Sequence, residues 1–285
     1  MSDLSLIKEL REKTGAGFLD CKNALVENNN DIQLSVDSLR KKGLAKATKK
    51  SSREAKEGAV GFYTNENISI ILKINSETDF SAKSDVFLDF LDLIGNIAIN
   101  QNDPNLSLEN FLNVNENGKS ISHLLTEMIA KIGENLIIND LKVYDNKEVN
   151  VSYYIHNPYR KNIGKIVSTV FFSSEEVNDD MQIFSKNLCM HIAALKPEAM
   201  DIDQLSSDLI ENEKKIQHEM IKDSGKPSNV MEKILEGKMK KYYSEVTLLN
   251  QNFVIDPDKT IKEAINEFNS SYNKFELKNY ALISL

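Results

Sequence analysis

The sequence predicts an α+β protein with antiparallel sheets, and three observations predict it. Residues 58–64 and 68–74 are runs rich in β-branched and aromatic side chains, separated by polar Asn65-Glu66-Asn67, which is the pattern of a hairpin. Val86, Phe87, Phe90, Leu91, Ile94 and Ile97 then fall at helical spacing. Further on, Leu205, Leu209, Ile216 and Met220 form one narrow apolar stripe, and Val230, Met231, Ile234 and Leu235 start another. Ser224-Gly225-Lys226-Pro227 lies between them, with Pro227 suited to a first helical position, so the pair reads as an inserted antiparallel helical hairpin. At 285 residues the chain has room for about two domains with smaller modules.

Taken in order, Ile7 and Leu10 share a face of a short helix that Thr14-Gly15-Ala16-Gly17 breaks. Phe18, Leu19, Cys21, Ala24 and Leu25 make a second helix. Asp31 is placed to cap a third, which carries Ile32, Val36 and Leu39 on one face. Residues 1–43 are therefore expected to be a three-helix module with a thin core, better suited to docking than to housing an active site. Phe18 and Leu19 are adjacent on their helix, so a contact patch and a buried pair both remain open. Residues 44–57 read as a basic linker. The run from Arg40 to Lys56 holds eight Lys and Arg residues without an interleaved aromatic, and fits either a solvated tether or a phosphate-binding arm.

Asn75-Ser76-Glu77-Thr78-Asp79-Phe80 follows the second strand. Asp79 or Thr78 can cap the helix that follows, with Phe80 starting its buried face. The same residues also set a carboxylate and a large aromatic side by side on a turn. Residues 96–117 read as loops with one short helix, 121–132 as a helix, and 135–143, 149–156 and 163–172 as strands. Phe184, Leu188, Ile192 and Leu195 mark a helix that ends before Pro197. Residues 247–255 read as a strand, Ile261 to Phe268 as a helix and 274–283 as a last extended segment. A hairpin-and-helix pattern thus occurs twice. One core subdomain is expected over 58–143 and a second over 144–200 and 244–285, the second interrupted by the hairpin at 201–243.

Composition excludes several classes. A net charge of −8 argues against a dedicated nucleic-acid binder. No basic-then-apolar leader and no apolar run of membrane-spanning length is present in the sequence, and two cysteines far apart fit a reduced, cytoplasmic setting. Cys189 and His191, two apart on a predicted helix, point apart, and His123, His156 and His218 lack metal-ligand spacing. No G-x-x-x-x-G-K-S/T loop occurs, so direct nucleotide binding is not expected. Glu77 and Asp79 could be read as an acid/base pair, but nothing in the flanking sequence gives a reason to expect one. The chain is expected to have no catalytic residues, cofactor or metal of its own.

Residues 10–25, Leu-Arg-Glu-Lys-Thr-Gly-Ala-Gly-Phe-Leu-Asp-Cys-Lys-Asn-Ala-Leu, resemble the N-terminal signature of elongation factor Ts of bacteria and organelles. Asn75 to Lys83, with Thr78-Asp79-Phe80, is similar to the family's second signature. Lys131-Ile132-Gly133-Glu134-Asn135, Met190-His191-Ile192-Ala193-Ala194, Ser224-Gly225-Lys226-Pro227 and Gly237-Lys238-Met239-Lys240-Lys241 resemble further blocks in the same order. Ser76 stands where cysteine is common and Ser81 where valine is common, and residues 156–164 replace a shorter glycine-rich turn.

The resemblance implies a UBA-like N-terminal module and a guanine nucleotide exchange factor, without chemistry of its own, that binds elongation factor Tu in GDP-bound and nucleotide-free states. It implies that Thr78, Asp79, Phe80 and Ser81 lie near the partner's Mg²⁺ and dislocate it, with Ile132 and Gly133 alongside. It further implies that Arg11, Phe18 and Leu19 meet the partner's GTPase domain and that His156 contacts the partner. The helical hairpin either self-associates or touches the partner. The alternative from another class is a non-enzymatic helical-hairpin interaction protein with a basic, RNA-associated arm.

Overall fold

A computed structural model describes residues 4–14, 16–174, 176–222, 227–271 and 274–285. Within these the chain divides into two compact units, one made of 1–145, 157–166 and 283–285 and the other of 146–156 and 167–282. Gly15 and the expected hairpin turn at Ser224-Gly225-Lys226 lie outside the described residues. The fold is α+β, with helices leading the chain and antiparallel strands following.

The first unit opens with α1 (Leu4–Thr14), α2 (Phe18–Glu27) and α3 (Ile32–Lys50). Ile7, Leu10, Cys21, Ala24 and Leu25 are buried together, and Ile32, Val36 and Leu39 of α3 pack against them. Helix α3 does not stop at the expected linker boundary. It runs on through the basic stretch to Lys50, because Lys, Arg, Ala and Leu are good helix formers and the one glycine there is tolerated. Gly43 is where α3 meets α7 (Ile121–Ile132): a Cβ at that position would stand 2.9 Å from the Ala130 Cβ. Arg40 bonds His123 and Glu127 on the same face of α7.

β1 (Glu57–Thr64) and β2 (Ile68–Ser76) pair antiparallel in an unbroken register from Glu57↔Ser76 to Thr64↔Ser69. The connection is built by Asn65, whose Oδ1 accepts the Asn67 and Ile68 amides at 2.8 Å each. β2 is central and buried almost throughout. Its other side pairs with a later strand, residues 136–145, with a bulge between Lys73 and Ile74.

After β2 come two helices where one was expected: a single turn α4 (Asp79–Ala82), then α5 (Asp85–Asn100) with its own cap, Ser84. Phe87, Phe90, Leu91, Ile94, Ile97 and Ala98 of α5 cover the sheet, each large side chain contributing roughly 1.5–3 kcal/mol of burial. Tyr63 reaches across from β1, and its hydroxyl donates to the Leu91 carbonyl at 3.0 Å. The short helix α6 (Leu108–Asn113) and a two-residue hairpin of β3 (Asn115–Glu116) and β4 (Lys119–Ser120) lead into α7. The paired strand beyond α7 is β5 (Leu136–Asp145).

β6 (Asn150–Arg160) runs four residues past its expected end, so the turn falls at Lys161-Asn162 before β7 (Ile163–Ser173). Arg160 explains the extra length: its guanidinium bonds Asp89 at 2.7 Å and Asp92 at 3.0 Å on α5. Beside it, Ile163 and Gly164 pair with Gly61 and Val60.

In the second unit α8 (Asp179–Leu195) is capped by Asn178 and packs Met181, Leu188, Cys189 and Ile192 into a core with Val170, Phe172, Leu248, Phe253, Ile261 and Phe275. Phe184 stacks on Phe268 at 4.4 Å and meets Phe275 edge-on at 5.3 Å. α9 (Ser207–Lys222) and α10 (Ser228–Val246) form the inserted helical pair, with Ile221 and Met239 buried. Pro227 is the residue just before α10 rather than its first residue.

The expected strand over 247–255 is a 3₁₀ turn followed by β8 (Asn252–Phe253), which pairs with β9 (Asp256–Thr260). Thr247 caps the end of α10 by donating to the Tyr243 carbonyl, and the Leu248 and Leu249 amides bond Ala199 and Met200, which leaves no extended run. α11 (Ile261–Ser271) and β10 (Glu276–Ser284) finish the chain. No helix among the described residues is long and apolar enough to cross a membrane.

His191 is fully buried in this unit. Its Nδ1 accepts the Val254 amide at 3.2 Å, so the proton belongs on Nε2, which donates to Gln251 Oε1 at 2.9 Å. Burial holds its pKa below the ordinary histidine value, with the Gln251 bond opposing in part. Between that lowered pKa and the unfolded value near 6.5 the unfolded chain binds more protons. This contribution to stability is therefore complete above about pH 7 and lost as pH falls below about 6.5. NMR titration of the ring should give a midpoint below about 6.5, and a midpoint at or above that value would contradict the neutral assignment.

Candidate functional site

The turn that ends β2 is over-determined by short-range bonds. Thr78 is the cap of α4: its Oγ1 accepts the Ser81 amide at 3.2 Å, and its carbonyl accepts the Ser76 hydroxyl at 3.0 Å. Asp79, the alternative cap, bonds Lys83 at 2.8 Å instead. That ammonium, hydrogen-bonded and positively charged beside it, lowers the Asp79 pKa. The Ser84 hydroxyl donates to the Ser81 carbonyl at 2.8 Å while capping α5, so the single turn of α4 is closed at both ends. Phe80 does not start a buried face. It is 84% exposed, while Ser81 and Ala82 beside it are buried. An apolar ring therefore projects outward from a backbone that has little freedom to fold it back.

A second element meets this turn. α7 ends at Gly133, whose φ of 88° is the left-handed conformation that glycine adopts at low cost. The chain then reverses, and Glu134 accepts the Thr78 amide at 3.0 Å on one carboxylate oxygen and the Thr78 hydroxyl at 2.7 Å on the other. Glu77 answers from the other side, accepting the Asn135 amide at 2.6 Å. The last residue of α3 and the segment after it join in. Arg53 pairs with Glu77 at 3.5 Å, its carbonyl accepts Asn135 Nδ2 at 2.7 Å, and Lys50 donates to the Gly133 carbonyl.

The structure thus brings Thr78, Asp79, Phe80 and Ser81 together with Ile132 and Gly133. Ile132 is half-buried against the sheet core. Sequence reasoning singled out none of Glu134, Glu77, Asn135, Arg53 and Lys50 as a site residue. The available signal was the acidic residue just beyond the Gly133 cap.

Arg11, Phe18 and Leu19 form a second group, on the N-terminal helices. Phe18 and Leu19 are 46% and 66% exposed, so neither is buried in the three-helix core. Arg11 and Phe18 line one hollow with Leu4, Ile7, Lys8 and Ala16. His156 belongs to the second unit, where its Nδ1 lies 3.2 Å from the Tyr154 hydroxyl. Among the described residues no group of three or more His, Cys, Asp or Glu side chains could hold a metal ion. What the turn offers chemically is an outward apolar ring on a capped turn, flanked by a carboxylate paired with Lys83.

The sequence model described as Elongation factor TS matches residues 77–282. The chain is 39% identical over 266 residues to elongation factor Ts of Allorhizobium ampelinum, covering 92% of this chain and 85% of that protein. It is 40% identical over 263 residues to that of Brucella anthropi, again covering 92% and 85%. Similarity to elongation factor Ts of Magnetococcus marinus is of the same order, 39% over 262 residues with the same coverage.

Proposed function

The chain belongs to the elongation factor Ts family of translation elongation factors, and from that premise we propose that it binds elongation factor Tu and accelerates release of GDP by disturbing the partner's Mg²⁺–phosphate site. The observation that supports the mechanism best is the outward Phe80 on its capped turn. A GTPase holds GDP through phosphate-cradling backbone amides and a Mg²⁺ ion with near-ideal octahedral demands. A small shift of the groups around that ion costs nucleotide affinity. Phe80 acts as the wedge, and Asp79, its charge already matched by Lys83, sits beside it without adding a bare anion next to the phosphates. The hollow lined by Arg11 and Phe18, together with the exposed Leu19, is the docking handle, and Ile132, Gly133 and His156 complete the partner contacts in this reading.

A ligand shifts an equilibrium only by binding one state better than the other. If this chain weakens GDP binding, GDP must weaken the binding of this chain by the same factor, typically about 5- to 150-fold. Calorimetric titration of elongation factor Tu with and without GDP measures that factor. Equal affinities in the two titrations would rule out exchange by this route.

A further inference from the structure

The geometry points to Glu134 as the positioning residue that keeps Phe80 outward, an inference that rests on the exchange reading above. One carboxylate spans both donors of Thr78, the residue whose hydroxyl in turn caps the single helical turn carrying Phe80. A four-residue helix has no cooperativity of its own to hold its shape. Its orientation must come from tertiary bonds, and Glu134 supplies two charge-assisted ones. Glu134 is itself fixed from behind. It follows the left-handed Gly133, whose carbonyl is taken by Lys50, and it precedes Asn135, whose amide goes to Glu77 and whose side chain goes to the Arg53 carbonyl. Both carboxylates of the clasp therefore bond across it, Glu134 to Thr78 and Glu77 to Asn135. In this reading Glu134, each of whose oxygens bonds Thr78, acts on the partner through Phe80, and the half-saturating concentration below separates that from a contact of its own.

The test compares Glu134→Ala with Glu134→Gln in the full chain. Gln loses the charge but can still bridge, accepting the Thr78 amide and donating to its hydroxyl oxygen. In the free protein, the Thr78 amide of Glu134→Ala should exchange with solvent about tenfold faster, as expected for losing a hydrogen bond to a charged group, while Glu134→Gln stays within about threefold of wild type. With elongation factor Tu carrying labelled GDP, Glu134→Ala should lower the maximal release rate by about tenfold at an unchanged half-saturating concentration, and Glu134→Gln should restore most of it. Placed in a Phe80→Ala background, Glu134→Ala should have no further effect on the maximal rate.

An unchanged Thr78 exchange rate in Glu134→Ala would overturn the inference. So would a Gln variant as slow as the Ala variant, which would make the charge itself the active feature, or a rise in half-saturating concentration alone, which would make Glu134 a contact. A wild-type chain that does not accelerate GDP release fails the exchange reading instead, and the Thr78 amide then still decides whether Glu134 holds the turn.

Discussion

Phe80→Ala should lower the maximal rate of GDP release from elongation factor Tu by about 10- to 100-fold, the range expected for truncating a central aromatic anchor. The loss should fall on the rate rather than on folding. Phe80 is 84% exposed and caps nothing, so its removal should change the stability of the free chain by no more than about 0.5 kcal/mol. The proposed docking through the N-terminal hollow would be untouched, so half-saturation should move less than the maximal rate. Chelating Mg²⁺ should shrink the difference between wild type and variant, because the step proposed for Phe80 has then already happened. Stopped-flow release of labelled GDP, with and without chelator, reads all of this. A folded Phe80→Ala chain that matches wild type in magnesium would assign the turn a purely structural role. Asp79→Asn separates charge from shape. Thr78 rather than Asp79 caps α4, so this change leaves the cap in place and alters only the pairing with Lys83.

Gly95→Ala should be among the most damaging single-methyl additions in the chain. A Cβ at Gly95 would stand 2.1 Å from Cζ of the Tyr63 ring. The ring has little room to retreat: it is buried, its hydroxyl is held by Leu91 and Asp92, and Gly61 is also packed against it, a Cβ there standing 2.8 Å from Cε2. Burial also pushes the Tyr63 hydroxyl pKa well above its ordinary value, so the phenol stays protonated and keeps donating. Alanine would gain up to about 1 kcal/mol of helix propensity over glycine in α5. Overpacking a closed site costs about 1–3 kcal/mol and occasionally more, so a net destabilisation of about 2 kcal/mol is expected. A shift of the urea midpoint measures it, and a Gly95→Ala chain as stable as wild type would show that the sheet and α5 can part without cost.

The β1–β2 hairpin and α5 were legible because each signal is local: β-branched and aromatic runs on either side of Asn65-Glu66-Asn67, and a 3.6-residue apolar period from Val86 to Ile97. The Thr78–Ser81 turn was legible as a site only through the family resemblance, since a cap with an exposed aromatic and a cap with a buried one read alike in sequence. The clasp was not legible. Thr78 and Glu134 are 56 residues apart, and no local pattern announces a carboxylate that bonds across that distance. Helix α3 past residue 43 was misread for the opposite reason. Its charged residues have good helical propensity but show no strong stripe, so a periodicity argument sees a linker where the backbone keeps its hydrogen bonds. Residues 247–255 read as a strand because threonine, leucine, phenylalanine and valine dominate them. Gln251 breaks the run by turning its amide onto the Glu245 carbonyl and His191.

The continuity of α3 gives the N-terminal helices, the proposed docking handle, a phase. Nineteen helical residues at about 1.5 Å each make a rod of roughly 28 Å, with the three-helix module fastened near one end and Lys50 at the other. A flexible tether would tolerate an extra residue, since its ends only need to remain within reach. A rod converts length into rotation. One residue inserted between Leu39 and Arg40 would advance the module by only about 1.5 Å but swing its hollow by roughly 100° around the helix axis. An insertion of seven residues would return the hollow to within about 20° of its original bearing, some 10 Å further out. Partner engagement by this chain should therefore vary periodically with the length of that segment, as it does for a key whose teeth must face the right way.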